Sequence, residues 1–148
     1  MNAVFQSKGI SEELSAAWGR GKKSKKTEAL NYAELSMLLN KKYGLETAWL
    51  KNDWHGADFV AYHPDPSKNF FLWVQLKSRV TIKKQYKDKG DLNIAFKHES
   101  DWYIIPHQIL LEIVPDSWLT SSSWLDKGFY HASSPSKEML PKLAPYKI

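Results

Sequence analysis

The segment at residues 70–79, with the sequence FFLWVQLKSR, constrains the fold more than any other part of the chain. Its nearly continuous run of apolar side chains predicts a β-strand that is covered on both faces. Gln75 and Lys77 stand inside this run, and the alternation of side chains along a strand places both on one face. Burying an amide or an ammonium without partners costs several kcal/mol, so polar partners are expected nearby.

A second predicted strand supplies a carboxylate for these two groups. It runs from Asp58 to Tyr62, and a loop dense in turn-forming residues (63–69) joins it to the apolar strand. Antiparallel pairing across that loop places Asp58 opposite Gln75, whereas a slip of two residues places it opposite Lys77. In either register a carboxylate, an amide and an ammonium converge on one face of the sheet.

A helix predicted at residues 27–43, with Thr27 as its cap and Gly44 after its end, adds a fourth candidate. Glu34 lies on this helix among apolar neighbours three and four residues away, namely Leu30, Met37 and Leu38. A carboxylate in that position either joins a site at the rim of the packed face or is an ordinary surface side chain.

The other predicted elements complete a single domain of 148 residues. A short helix is predicted at residues 11–18, further strands at 46–51, 92–96 and 102–105, a helix or strand at 107–114, and a last helix near 136–143. Helices and strands in this order predict an α/β (α+β) domain with a mixed sheet.

The order of helix, strand, Asp58 strand and Gln-x-Lys strand resembles the core of the PD-(D/E)XK nucleases, which includes restriction endonucleases and Holliday-junction resolvases. The segments GADFVA at residues 56–61 and VQLKS at residues 74–78 carry the resemblance, which covers residues 27–79. Glu34, Asp58, Gln75 and Lys77 match the helix acid, the strand acid, the D/E position and the lysine of the motif. Gln75 stands where an acid is usual, and the resemblance extends to members with glutamine there.

The resemblance implies a restriction-endonuclease-like mixed β-sheet flanked by helices, and a metal-dependent DNA endonuclease that hydrolyses phosphodiester bonds. It implies Mg²⁺, for which Mn²⁺ can substitute, held by Glu34, Asp58, the Gln75 amide oxygen and the backbone carbonyl of Leu76. Lys77 would orient or help to deprotonate the attacking water and stabilise the transition state. One tightly held metal ion is expected, and a second is compatible with the site.

The charge of the chain favours a polyanionic partner, since the formal net charge is +5 and the pI about 9.3. Basic residues gather in a predicted arm or linker at residues 19–26 and after the Gln-x-Lys strand. The candidates for contacts to nucleic-acid phosphates are Lys22, Lys23, Lys25, Lys26, Arg79, Lys83, Lys84 and Lys87. A solvated surface is the alternative interpretation of both groups.

The absence of cysteine excludes a thiolate zinc site and a cysteine nucleophile, and it agrees with a cytoplasmic protein. No apolar run is long enough to span a bilayer, so no membrane partner is expected. DNA is the expected partner, with a homodimer or a second protein supplying specificity. Two alternatives stay open here: a catalytically inactive nuclease-fold module for nucleic-acid binding or assembly, and a basic RNA-binding protein without a metal site.

Overall fold

The computed structural model describes residues 23–148. Helix α1 spans Lys23–Tyr43 and begins four residues before the predicted cap, Thr27. Gly44 follows the helix with a φ of 67°, the left-handed conformation that commonly ends helices. The chain divides into two compact units between Glu34 and Leu35, and the sheets described below lie in the second unit. The predicted helix at 11–18 and the basic residues before Lys23 lie outside the described residues.

A five-stranded sheet organises the second unit. Its strands are β1 (Glu46–Trp54), β2 (Ala57–Tyr62), β3 (Phe71–Leu76), β5 (Leu92–His98) and β6 (Asp101–Pro106), and a separate strand β4 (Val80–Lys83) precedes β5 in the chain. Their order in the sheet is β1-β2-β3-β5-β6. The β3–β5 pair is parallel and the other pairs are antiparallel, so the sheet is mixed, as the sequence predicts.

The register of β2 against β3 is the first of the two registers that the sequence left open across the 63–69 loop. Phe59 pairs with Val74 and Tyr62 pairs with Phe71. Continuing this register by one position places Asp58 beside Gln75. The preceding β1–β2 hairpin turns through a two-residue loop, His55-Gly56, whose φ angles of 54° and 79° suit the twist of the two strands.

A second, two-stranded sheet pairs β4 with β7 (Phe129–Ala132) in antiparallel orientation. The sequence does not predict this sheet, since residues 70–79 read as one strand and the residues after it as a basic polar segment. In the structure β3 ends at Leu76. The chain then bends and resumes extended structure at Val80, where Val80 and Ile82 are buried.

Short helices fill the remainder of the chain. They are α2 (His107–Ile113), α3 (Asp116–Leu119), a π-helical turn (Ser123–Lys127), α4 (Leu140–Leu143) and the 3₁₀ turns Pro66–Lys68, Lys84–Tyr86 and Ala144–Tyr146. The undecided segment at 107–114 is therefore helical. The last helix is shorter than predicted, with Pro141 in its first turn, where proline is tolerated. Among residues 23–148, no helix is long and apolar enough to cross a bilayer.

The second half of strand β3 is covered on both faces, as its apolar composition predicts, whereas Phe71 at its start is 51% exposed. One face belongs to a large apolar cluster that includes Leu92 and Ile94 of β5, Val80 and Ile82 of β4, and Leu110 of α2. On the other face Val74 and Leu76 are also buried. Ser36 of α1 is hydrogen-bonded to Thr47 of β1 (Oγ–Oγ1 2.6 Å), so the second half of α1 lies against that face.

Candidate metal and nucleic-acid site

Asp58, Gln75 and the backbone of Leu76 form one hydrogen-bonded group at the end of the β2–β3 pair. The Gln75 Nε2 donates to Asp58 Oδ2 at 2.8 Å, and the Leu76 N–H donates to the same oxygen at 2.8 Å. Two residues 17 positions apart therefore meet as the register predicts. Gln75 is only 7% exposed, while Asp58 is half-buried.

The orientation of the Gln75 amide follows from the carboxylate. An ionised carboxylate only accepts hydrogen bonds, so the amide must turn its NH₂ group toward Asp58. Its oxygen, Oε1, is consequently directed elsewhere, and it is buried without a hydrogen-bond partner. A buried acceptor left unpaired costs about 1–3 kcal/mol, and such an oxygen is a suitable ligand for a hard divalent cation.

The same contacts also stabilise the sheet. The Lys77 N–H donates to Ala95 O of β5 at 2.9 Å, so by alternation the Leu76 N–H is directed toward β2. The β2–β3 pairing ends at Phe59 and Val74. The Asp58 carboxylate therefore takes the place of a backbone acceptor where the ladder ends. Asp58 therefore stabilises the sheet whether or not it binds a metal ion. A substitution that tests metal binding must keep its hydrogen bonds to Gln75 and Leu76.

Lys77 follows directly after β3 and is half-buried. Its positive charge acts on His131 of β7, because it is one of the charges that lower the pKa of that imidazole. Arg79 and Lys83 act on the same imidazole. Three of the basic residues singled out from the sequence, Lys77, Arg79 and Lys83, are thus gathered around the small sheet.

The other basic candidates differ in their surroundings. The Lys83 ammonium lies 5.7 Å from the centre of the Tyr86 ring. Lys84 donates to Leu125 O at 3.4 Å, and its ammonium lies 5.5 Å from the centre of the Trp124 ring. Lys87 and Arg79 are exposed. These intramolecular contacts make Arg79 and Lys87 better suited than Lys84 to contact an external phosphate.

The candidates on α1 belong to the first part of the described chain. Glu34 is exposed and lies on α1 immediately before the division between the two units. Lys25 and Lys26 are also exposed there, in the first turns of the helix. Lys23 is the first residue of α1, and Lys22 lies outside the described residues. The participation of Glu34 in the site stays a prediction.

A cavity of about 440 Å³ lies on the same side of β3 as Gln75. Trp73 lines it two residues before Gln75, a separation of about 7 Å along a strand. The His55 ring lies 5.4 Å from the Trp73 ring, centre to centre. The remaining lining residues are Asp88, Lys89, Gly90, Asp91 and Leu92. The cavity has an aromatic wall and polar groups, and neither Asp58 nor Gln75 lines it.

His131 is a polar residue beside this region that the sequence does not single out. Its Nδ1 lies 3.0 Å from the Thr81 hydroxyl across the β4–β7 pair. The five histidines share no metal-ligand spacing, so a search for zinc motifs passes over it. The two aromatic residues after Gly128, Phe129 and Tyr130, are the signal that could have indicated a short strand carrying His131.

A cluster of three or more His, Cys, Asp or Glu side chains able to hold a metal ion does not occur within residues 23–148. Any divalent cation there would therefore rely on the amide oxygen of Gln75 and on backbone oxygen in addition to carboxylate. No family model, characterised protein or solved structure matches this chain. The resemblance to the PD-(D/E)XK nucleases accordingly stays a prediction.

Proposed function

We propose that this chain is a metal-dependent DNA endonuclease of the PD-(D/E)XK type, with a restriction-endonuclease-like sheet and with glutamine at the second acidic position. The single observation that carries the proposal is the Asp58–Gln75 pair. A carboxylate and a buried amide meet at 2.8 Å at the end of two central strands, and the amide oxygen has no partner within the described chain. DNA is the proposed substrate, and the cytoplasm is the proposed location of the protein.

The donor set fits a hard divalent cation better than a soft one, because all of its members are oxygen atoms. Asp58, Gln75 Oε1 and the Leu76 carbonyl would hold Mg²⁺ or Mn²⁺. The cation would neutralise charge on the phosphodiester and promote the ionisation of water. The paucity of carboxylates favours a single cation.

Lys77 would act on the reacting phosphate itself. Its ammonium would hold the attacking water by hydrogen bonding and stabilise the negative charge that develops on the phosphate oxygens. The water oxygen forms a bond to phosphorus, the bond to the leaving sugar oxygen breaks, and the leaving oxygen takes up a proton. This chemistry requires no covalent intermediate with the protein.

The basic surface supports DNA as the substrate class. Lys77, Arg79 and Lys83 gather near His131 of β7, and Lys87 is exposed after the 3₁₀ turn that follows β4. Such contacts fix the position of a nucleic-acid backbone without reading its sequence. Specificity would then come from DNA structure, from a second protein or from a homodimer.

The test is nicking of supercoiled plasmid by the full chain with and without Mg²⁺ or Mn²⁺. We expect cleavage only with the cation, and a loss of about 10²–10³-fold in the D58N and K77M variants. Asp58→Asn is chosen because it keeps an acceptor for the Leu76 N–H, whereas Asp58→Ala would leave that N–H and the Gln75 amide unpaired. D116N and K142M, which change exposed residues elsewhere, are the matched controls.

An inactive nuclease-fold module is the second candidate, and one observation favours it. The hydrogen bonds that Asp58 Oδ2 accepts from Gln75 and from the Leu76 N–H are internal to the sheet, as expected for a purely structural carboxylate. Such a module would shift DNA in a gel without nicking it, and Mn²⁺ would leave its unfolding temperature unchanged. A folded D58N variant that nicks plasmid at the wild-type rate would refute the nuclease proposal.

A further inference from the structure

The outer face of the β4–β7 sheet carries polar groups that the proposed cleavage reaction does not use. Val80 and Ile82 of β4 face the apolar cluster, so Thr81 and Lys83 face the other way. Thr81 pairs with His131, and Lys83 pairs with Phe129. Residues directly opposite each other in an antiparallel pair share a face, so the two pairs form one surface.

The hydrogen bonds of Thr81 fix the tautomer of His131. The Thr81 hydroxyl has one hydrogen, and it donates to Arg79 O at 3.0 Å. At its 3.0 Å contact with His131 Nδ1 the hydroxyl oxygen must therefore accept, and Nδ1 must carry the hydrogen. In the neutral imidazole, Nε2 is then the bare nitrogen. Because Nδ1 is hydrogen-bonded to Thr81 and the His131 side chain is exposed, Nε2 is the ring nitrogen available to a ligand.

The charges that act on His131 within the described part of the chain are all positive. Partial burial, Lys77, Lys83 and Arg79 all lower the pKa of the imidazole, with burial the largest cause. These cations come from the end of β3 and from both ends of β4. The neighbours of His131 on its own face of β7 are uncharged: Phe129, whose ring centre lies 4.8 Å away, and Ser133 beyond the strand. The imidazole is thus a neutral group in a cationic setting.

We propose that His131 is a phosphate-binding residue that takes up a proton when a nucleic-acid backbone occupies the cationic surface formed by Lys77, Arg79 and Lys83. An anionic phosphate would offset the repulsion that these cations exert on an imidazolium. Protonated Nε2 would then donate to a phosphate oxygen while Nδ1 stays bound to Thr81. The inference rests on the proposed function for the identity of its ligand, a nucleic acid.

The same surroundings make Nε2 of His131 a poor ligand for a divalent cation. Three positive charges act on this imidazole, and no carboxylate of residues 23–148 is among the charges that affect its pKa. A cation would be repelled where a phosphate is attracted. His131 is therefore assigned to binding the substrate backbone and not to the metal site at Asp58 and Gln75.

The first experiment is NMR of the ¹⁵N-labelled histidine rings in the full chain, without divalent metal. We expect His131 to be the Nδ1–H tautomer when neutral, and we expect a short DNA duplex to raise its pKa. Thr81→Val removes the acceptor and should allow the Nε2–H tautomer. A wild-type His131 with hydrogen on Nε2, or a pKa that DNA leaves unchanged, would overturn the proposal.

The second experiment measures DNA affinity between about pH 5 and 8, the range in which histidine titrates. We expect binding to strengthen as the pH falls, roughly tenfold for each unit by which DNA raises the His131 pKa. H131Q should remove this pH dependence, and H98Q, at a half-buried histidine on β5, should keep it. Equal pH dependence in H131Q and wild type would contradict the proposal.

The two proposals fail separately in these assays. Metal-dependent nicking with no pH-linked contribution of His131 to binding would leave the nuclease proposal standing and remove the His131 proposal. Binding that depends on His131 and pH, in a chain that never nicks plasmid, would do the reverse. The metal-free conditions of the binding assay keep the two readouts independent.

Discussion

Replacing Gln75 by glutamate distinguishes a metal ligand from a purely structural amide. In the wild type, Gln75 Nε2 donates to Asp58 Oδ2 at 2.8 Å. In Q75E an acceptor oxygen would take the place of that donor. Two carboxylates about 3.5 Å apart repel each other by about 5 kcal/mol at an effective dielectric constant of about 20. The pair can avoid this repulsion by binding one proton. At pH 8 protonation costs a similar free energy, about 5 kcal/mol, because the unperturbed pKa of glutamate is about 4.3.

The penalty in Q75E depends on pH in a definite direction. Repulsion raises the pKa of the pair in the folded state above its value in the unfolded chain. The folded state therefore binds more protons, and its stability is full below about pH 4 and is lost as the pH rises. We expect Q75E to be less stable than wild type by about 4–5 kcal/mol at pH 8 and by about 1 kcal/mol near pH 5. Urea unfolding of both proteins at each pH measures these differences.

A divalent cation should reverse the effect if Gln75 is a ligand position. Mn²⁺ held between two carboxylates removes their repulsion and binds the folded state alone. At a concentration about 100-fold above its dissociation constant it restores about 2.7 kcal/mol at pH 8. The wild type should show a smaller increase, because its amide brings no charge to the site.

The control for Q75E is Q75M, which removes the donor without adding charge. It loses the hydrogen bond to Asp58 Oδ2, which keeps the Leu76 N–H, but it also removes the unpaired Gln75 oxygen. Its stability should therefore stay within about 1 kcal/mol of wild type, with little dependence on pH between 5 and 8 and no recovery with Mn²⁺. The reasoning would be refuted if Q75E were as stable as wild type at pH 8 without metal. Equal losses at pH 5 and pH 8 would also refute it.

Two further predictions concern stability. Burial lowers the pKa of His107 from 6.5 to about 4, so between these two pH values the unfolded chain binds more protons than the folded one. The free energy of unfolding, measured with urea, should therefore fall by about 2–3 kcal/mol as the pH drops from about 7 to 4.5. H107F should lack this pH dependence. Gly56 has a φ of 79°, and an added Cβ would lie 3.1 Å from Lys89 Cδ and 3.3 Å from Leu92 Cδ2. G56A should therefore lower the urea midpoint more than G44A, where the φ of 67° is similarly strained but nothing lies within 4 Å; equal losses would contradict the steric argument.

The parts of the fold that were predicted correctly rest on local signals. The β2–β3 register follows from a loop dense in turn formers between two apolar runs, because a slip by one residue would reverse the faces of every side chain. The helix at residues 27–43 was predicted to within four residues of its start, and its end follows from Gly44. The Asp58–Gln75 contact is a consequence of that register.

The β4–β7 sheet could not be predicted, because its pairing is not local. Each strand has four residues, and about 50 positions separate Thr81 from its partner His131. A short segment such as VTIK, at the edge of a basic stretch, carries too little alternation to mark a strand. The surroundings of His131 follow from this pairing, so its candidate role also had to come from the structure.

The buried amide oxygen of Gln75 shows whether the stability of the sheet is enough to explain a glutamine at this position. Three buried side-chain polar atoms lack a partner within residues 23–148: Gln75 Oε1, His107 Nδ1 and Ser136 Oγ. Methionine at position 75 would fill a similar volume without an unpaired oxygen. The Nε2–Asp58 bond contributes about 1.5–3 kcal/mol, and the unpaired oxygen costs about 1–3 kcal/mol, so the amide yields little net stability. Because the stabilisation at Nε2 and the cost at Oε1 nearly cancel, sheet stability alone does not explain a glutamine at position 75, and a ligand bound to Oε1 explains it better. Comparing the stabilities of Q75E and Q75M with and without Mn²⁺ separates these two explanations.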